Sequence, residues 1–154
     1  MIMLTRRTLL ACGAAFIAFN GSARAQARPK ILVHKDPNCG CCEEWAAHLR
    51  KAGFNVTTQN STRMNAIKAK LGVPAELASC HTAEVNGYVI EGHVPAAEIT
   101  RLVSEKPKAK GLAVAGMPIG SPGMEGGEPD TYDVVIFGEF GHQTFARYRG
   151  AQAI

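Results

Sequence analysis

The sequence predicts a single α/β domain, a mixed central sheet flanked by helices, and three observations carry that prediction. Short β-forming runs alternate with segments of helical periodicity as far as residue 106. An Asn-Gly pair stands between two β-forming flanks, which is the strongest short-range signal for a hairpin. The length, 154 residues, suits one ordinary core and is short for two.

Taken in order, Lys30-Ile31-Leu32-Val33-His34 is a first strand, ended by the turn formers Asp36-Pro37-Asn38. Glu43 and Glu44 suit the first turn of a helix, and Trp45, Leu49 and Ala52 then mark one face until Gly53 stops it. Phe54 to Thr58 alternates as a second strand. Met64, Ile67 and Leu71 define a helix that begins near Ser61 or Thr62 and ends at Gly72. Leu77 to Cys80 leads into a hairpin over Thr82 to Ile90 that turns at Asn86-Gly87, with Cys80-His81 at its approach. Pro95 opens a third helix, with Ile99, Leu102 and Val103 inward and Lys106-Pro107 at its end. Residues 111–130, rich in Gly and Pro, read as a long aperiodic loop of the kind that carries function. Tyr132 to Phe137 and Gln143 to Tyr148 close the domain as strands around Gly138-Glu139-Phe140-Gly141, and Trp45, Phe54 and Phe137 are assigned to the core.

Residues 1–27 stand apart from this pattern. Arg6-Arg7 precede an apolar run from Leu9 to Phe19, and Ala23-Arg24-Ala25-Gln26-Ala27 supplies small residues at a spacing that suits cleavage. This predicts a secretory signal peptide over 1–27 and a domain over 28–154. The run is too short to span a bilayer comfortably, so no stable membrane insertion is expected after its removal. The segment from Thr5 to Leu10 also resembles a twin-arginine signal, and Cys12 leaves with the leader. Loss of Arg6, Arg7 and Arg24 takes the formal charge from +4 to about +1, with no basic tract to grip a phosphate backbone. Nucleic acid is therefore excluded as a partner. No phosphate loop and no Ser/His/Asp motif supports a hydrolase.

Four cysteines remain, and their placement carries the chemistry. Cys39, Cys41 and Cys42 crowd into four positions, where cross-linking closes trivial loops and constrains the unfolded chain little. Cys39 and Cys42 have the C-x-x-C spacing of a redox pair between a strand and a helix, a thioredoxin-like arrangement. With Cys39 at the helix N-cap and Cys42 in its first turn, unpaired N–H groups and the helix dipole favour thiolate over thiol. A thiolate serves disulfide exchange and soft-metal binding equally. Cys41 separates the two uses, since a third thiol scrambles an exchange pair but adds a sulfur to a metal site.

Cys80 and His81 are the remaining candidate ligands, giving four thiolates or three with an imidazole if the fold brings them together; spacing alone does not decide that. Such a set suits Cu(I), zinc or an iron–sulfur cluster. Met117 and Met124, in two Gly-Met pairs of the loop, tip the choice toward Cu(I), with zinc as the alternative. His34 and His93 fall at the rims of the same region. His48 is set aside as a surface residue with Glu44 as partner, and His142 is left open.

The motifs His34-Lys35-Asp36-Pro37, Cys39-Gly40-Cys41-Cys42, Trp45, Cys80-His81-Thr82, Gly87 to Pro95 and Gly116 to Glu125 together resemble the CopG-like family of periplasmic metal-binding proteins. The resemblance covers nearly all of the chain beyond the leader. It implies a thioredoxin-like fold, a periplasmic location and a part in copper resistance. It also implies copper ions and periplasmic copper-handling proteins as partners, and Cys39, Cys41, Cys42 and Cys80 as site residues, with His81, Met117 and Met124 beside them. Storage, transfer and a redox role all fit that resemblance. A thiol-disulfide oxidoreductase using Cys39 and Cys42, and a structural zinc domain, are the competing expectations.

Overall fold

A computed structural model describes residues 29–154. The expected signal segment, with Cys12, lies outside the described residues. Strand β1 (Lys30–Lys35) is followed by helix α1 (Gly40–Lys51), β2 (Asn55–Asn60) and α2 (Met64–Leu71). A single 3-10 turn (Ala75–Leu77) leads to the hairpin β3 (Thr82–Val85) and β4 (Tyr88–Glu91), and then to α3 (Ala96–Glu105). The chain closes with β5 (Gly111–Ala113), β6 (Thr131–Gly138), β7 (Gly141–Arg149) and β8 (Gln152–Ala153).

All eight strands form one mixed sheet in the order β2-β1-β3-β4-β5-β6-β7-β8. The pairs β1/β2 and β4/β5 are parallel, and the others are antiparallel. The α/β class with a mixed sheet is thus as the sequence predicts. The Asn86-Gly87 hairpin forms in register, Val85 opposite Tyr88, with both turn residues at positive φ as a tight primed turn requires.

Three of the differences from expectation have a clear local cause. The first is β5, which lies inside the segment read as aperiodic. Its Gly111 runs so close to β4 that a Cβ there would sit 1.7 Å from the Val89 carbonyl oxygen, so the residue that disguises the strand is the one the pairing demands. The second is α2, which begins at Met64, because Ser61 Oγ accepts the Arg63 N–H at 3.1 Å and holds the chain in a turn. The third is Pro95, which stands just outside α3 in extended conformation rather than within its first turn.

The main core joins the sheet to the helices through Ile31, Val33, Trp45, Leu49, Phe54, Ile90, Ile99, Leu102, Leu112 and Val134, among others. Trp45, Phe54 and Phe137 are buried as expected. Trp45 donates its indole N–H to the Val94 carbonyl at 2.9 Å, which fixes α1 against the end of the β3–β4 hairpin. Among the described residues no helix is long and apolar enough to cross a membrane.

Candidate metal centre

The turn after β1 sets the first half of the site. Asp36 Oδ1 accepts the Asn38 N–H at 2.8 Å and its carbonyl accepts the Cys39 N–H at 3.1 Å. That turn delivers Cys39 to the N-cap of α1, in extended conformation, with Cys41 and Cys42 in the first helical turn. Cys42 is fully buried and Cys41 half-buried. Cys39 and Cys42 are joined as a disulfide, while Cys41 and Cys80 are free thiols.

The hairpin supplies the second half. Cys80 precedes β3 and brings its Sγ to 3.8 Å from Cys41 Sγ, which is itself 3.5 Å from Cys39 Sγ. All four sulfurs lie within 4.8 Å of one another. The convergence that spacing leaves open is therefore made by the fold.

A second donor group overlaps the first at Cys80. His93 Nε2 lies 3.1 Å from Cys80 Sγ and His81 Nδ1 lies 3.3 Å from it, and one ligand atom from each of the three residues falls within 4.8 Å of the others. His93 Nδ1 donates to the Pro122 carbonyl at 2.8 Å, so its Nε2 carries the lone pair toward the sulfur. A carbonyl that fixes the tautomer of an imidazole in this way is a usual support for a metal ligand. His81 is buried, packs 4.3 Å from the Trp45 ring, and leaves Nε2 without a hydrogen-bond partner among the described residues.

Burial lowers the pKa of both imidazoles; His93 and Lys68 push His81 further down, while the Pro122 bond and Glu125 partly oppose the shift at His93. Both rings are thus held neutral, the form that binds metal. Burial first, and Cys41 second, pushes the Cys80 thiol up to about 12, so this sulfur keeps its proton at neutral pH.

Beneath Cys80 lies a buried polar network. Glu91, fully buried, accepts from Lys68 Nζ at 2.5 Å and from the Ser79 N–H at 2.6 Å on one oxygen, and from Thr82 Oγ1 at 2.6 Å on the other. Burial raises the Glu91 pKa, and Lys68 acts in the opposite sense. Holding the Ser79 backbone fixes the residue beside Cys80. Ser79 Oγ in turn donates to the Gly116 carbonyl, and the Gly116 N–H donates to Ala78 at 3.1 Å.

The Gly/Pro loop is fastened to both halves of the site. One end is tied at Gly116, next to Met117, whose side chain is 52 % exposed. The other presses on α1 at Gly123, where φ is +86° and a Cβ would come within 2.7 Å of the Cys41 carbonyl oxygen and the Trp45 nitrogen. Met124, half-buried, follows that contact.

The other histidines are placed elsewhere. His34 Nε2 pairs with Glu84 at 2.8 Å. His48 accepts the Ala96 N–H at 3.2 Å, capping α3 from α1 instead of pairing on the surface with Glu44. His142 is exposed, 3.9 Å from Glu76. The residue that sequence reasoning undervalues is His93. Its signal is the hairpin register: Val85 faces Tyr88 and Thr82 faces Glu91, so two further steps bring Cys80 opposite His93.

A family model described as "Protein of unknown function, DUF411" matches residues 77–124, the span from Leu77 through the second Gly-Met pair. Two solved structures are similar to the chain over 79 % of its length and 98 % of theirs. "Copper resistance protein copG- Form 2" is 47 % identical with a TM-score of 0.75. "Copper resistance protein copG- Form 1" is 48 % identical with a TM-score of 0.74. No curated protein matches the chain.

Proposed function

This chain belongs to the family of the copper resistance protein CopG, and from that premise we propose that it is an exported protein that binds Cu(I) through clustered cysteine thiolates, for sequestration or transfer. The observation that carries the reading is the approach of four cysteine sulfurs to within 4.8 Å of one another, one of them from a different part of the chain. A soft cation is what such a donor set selects. His81 Nδ1, 3.3 Å from Cys80 Sγ on a ring that burial keeps neutral, supports a site that adds an imidazole to the sulfurs. The order β2-β1-β3-β4 with α1 between β1 and β2 and α3 after β4 supports the thioredoxin-like reading of the first part of the fold.

Full use of the four sulfurs needs the Cys39–Cys42 disulfide reduced to two thiols. The expected result is that anaerobically reduced protein retains Cu(I) at a defined ratio against a moderate chelator, that Cys41→Ser and Cys80→Ser each lower it, and that circular dichroism keeps its α/β form when copper is removed. No retained copper sinks the reading. Unfolding on metal removal would move the site to structural zinc.

The Cys39–Cys42 disulfide itself favours a second reading, thiol-disulfide exchange with Cys39 as nucleophile and Cys42 as resolving thiol. Metal-free protein that neither reduces, oxidises nor isomerises protein disulfides removes it.

A further inference from the structure

A cavity of about 340 Å³ opens beside Cys80, with Asp36, Arg63, Asn65, Lys68 and Ser79 among its lining. Its size fits a small molecule, and most of its lining is polar. Lys68, only 7 % exposed, has three N–H donors, of which Thr82 and Glu91 occupy two. The Arg63 guanidinium has no acceptor among the described residues. Asp36 uses one carboxylate oxygen on the Asn38 N–H and has the other without a partner among the described residues. The cavity therefore sets the Arg63 guanidinium, the one remaining N–H of a Lys68 already paired with Glu91, and the Asp36 carboxylate beside a thiol. That set is complementary to a molecule carrying a carboxylate, an ammonium and a thiol of its own.

Cu(I) is soft and is held by sulfur ligands on both sides of any exchange, so copper passes between sites through a state in which the donor and the acceptor sulfur both touch it. Resting on the reading of the cluster as a Cu(I) site, we infer that this cavity seats a small zwitterionic thiol, of the amino-acid or short-peptide kind, that exchanges Cu(I) with Cys80. In the outward direction the incoming thiol forms a Cu–S bond and gives up its proton. The bond from copper to Cys80 Sγ breaks and that sulfur takes one proton; each remaining bond from copper to a cluster sulfur is then displaced by a further thiol in the same way, one Cu–S bond formed and one proton transferred for each bond broken. Copper remains Cu(I), and no electron moves.

The test uses reduced, Cu(I)-loaded protein held anaerobically. L-cysteine, N-acetylcysteine, cysteamine and 2-mercaptoethanol are added at equal thiolate concentration, and the copper left on the protein after rapid gel filtration is followed in time. L-cysteine should act with saturation and about tenfold faster than the other three, because charge complementarity acts on encounter and seating. Arg63→Glu should bring the ratio of the L-cysteine rate to the 2-mercaptoethanol rate close to one. Asp36→Asn should do the same for the ratio of L-cysteine to N-acetylcysteine. Each ratio is taken within one variant, so a general loss of copper cancels, and a variant counts only if its circular dichroism matches that of the unmodified protein, since lost fold would also level the rates. Equal rates for all four thiols on the unmodified protein would overturn this inference alone. Failure of that protein to hold Cu(I) before any thiol is added would overturn the copper reading and the inference with it.

Discussion

His81 carries one buried ring nitrogen from which the fold gains nothing. Its ring is buried against Trp45, its Nε2 meets no partner, and burial keeps it neutral. An unsatisfied buried polar atom costs about 1–3 kcal/mol. We expect His81→Leu to leave the thermal stability of the metal-free protein unchanged or raised by up to about 1 kcal/mol at neutral pH, while Cu(I) retention falls. A melting temperature lowered together with unchanged copper content would make His81 a packing residue instead. In sequence, His81 is legible as a candidate because it adjoins Cys80. His93 is legible only as a residue at the rim of the region, because what brings it to Cys80 is a hairpin register and the Pro122 carbonyl, which comes from 29 residues further along. The Cys41–Cys80 approach is likewise a product of the fold, since nothing in a separation of 39 residues dictates it.

Between elements, the firmest tie near the site is the Lys68–Glu91 pair, which joins α2 to β4 and, through Thr82 and Ser79, to the segment that carries Cys80. Both side chains are buried, so removing one strands the other. Glu91→Ala should destabilise by about 3–5 kcal/mol, whereas replacing both, as Lys68→Met with Glu91→Leu, should recover most of that loss; urea denaturation checks both. If the double variant is as unstable as the single one, the hydrogen bonds to Ser79 and Thr82 matter more than the paired charge. Element order was readable from periodicity and turn residues through α3. It failed at β5, where three residues, one a glycine placed for close approach, carry no pattern against the Gly/Pro background. It failed by a few residues at the start of α2, where a Ser61 turn competes with the first helical hydrogen bonds.

Across the whole molecule, one sheet carries residues from both ends of the domain, and its far half holds the two stacked phenols of Tyr132 and Tyr148, centroids 5.7 Å apart. Burial raises both pKa values, that of Tyr132 to about 12, with Glu98 adding to the rise at Tyr148. The folded protein therefore keeps phenolic protons that the unfolded chain gives up near pH 10. Their stabilisation is complete below pH 10 and is lost as pH rises from 10 toward 12. Unfolding free energies from urea titrations should be flat from pH 8 to 9.5 and then fall, by on the order of 1 kcal/mol per pH unit for each tyrosine. Tyr132→Phe, which gives up the hydrogen bond to the Gly150 carbonyl at 2.9 Å, should soften that fall. The brace from Pro122 to His93 has a consequence in time. Three thiols of the cluster lie within one helical turn, so a short length of emerging chain already carries them. The imidazole is oriented only after the chain has run past residue 122 and laid the Gly/Pro loop back across α1. On the copper reading proposed above, a half-made chain with its cysteines reduced is a loose local chelator, and the finished geometry is a late event of folding, set by a long-range contact.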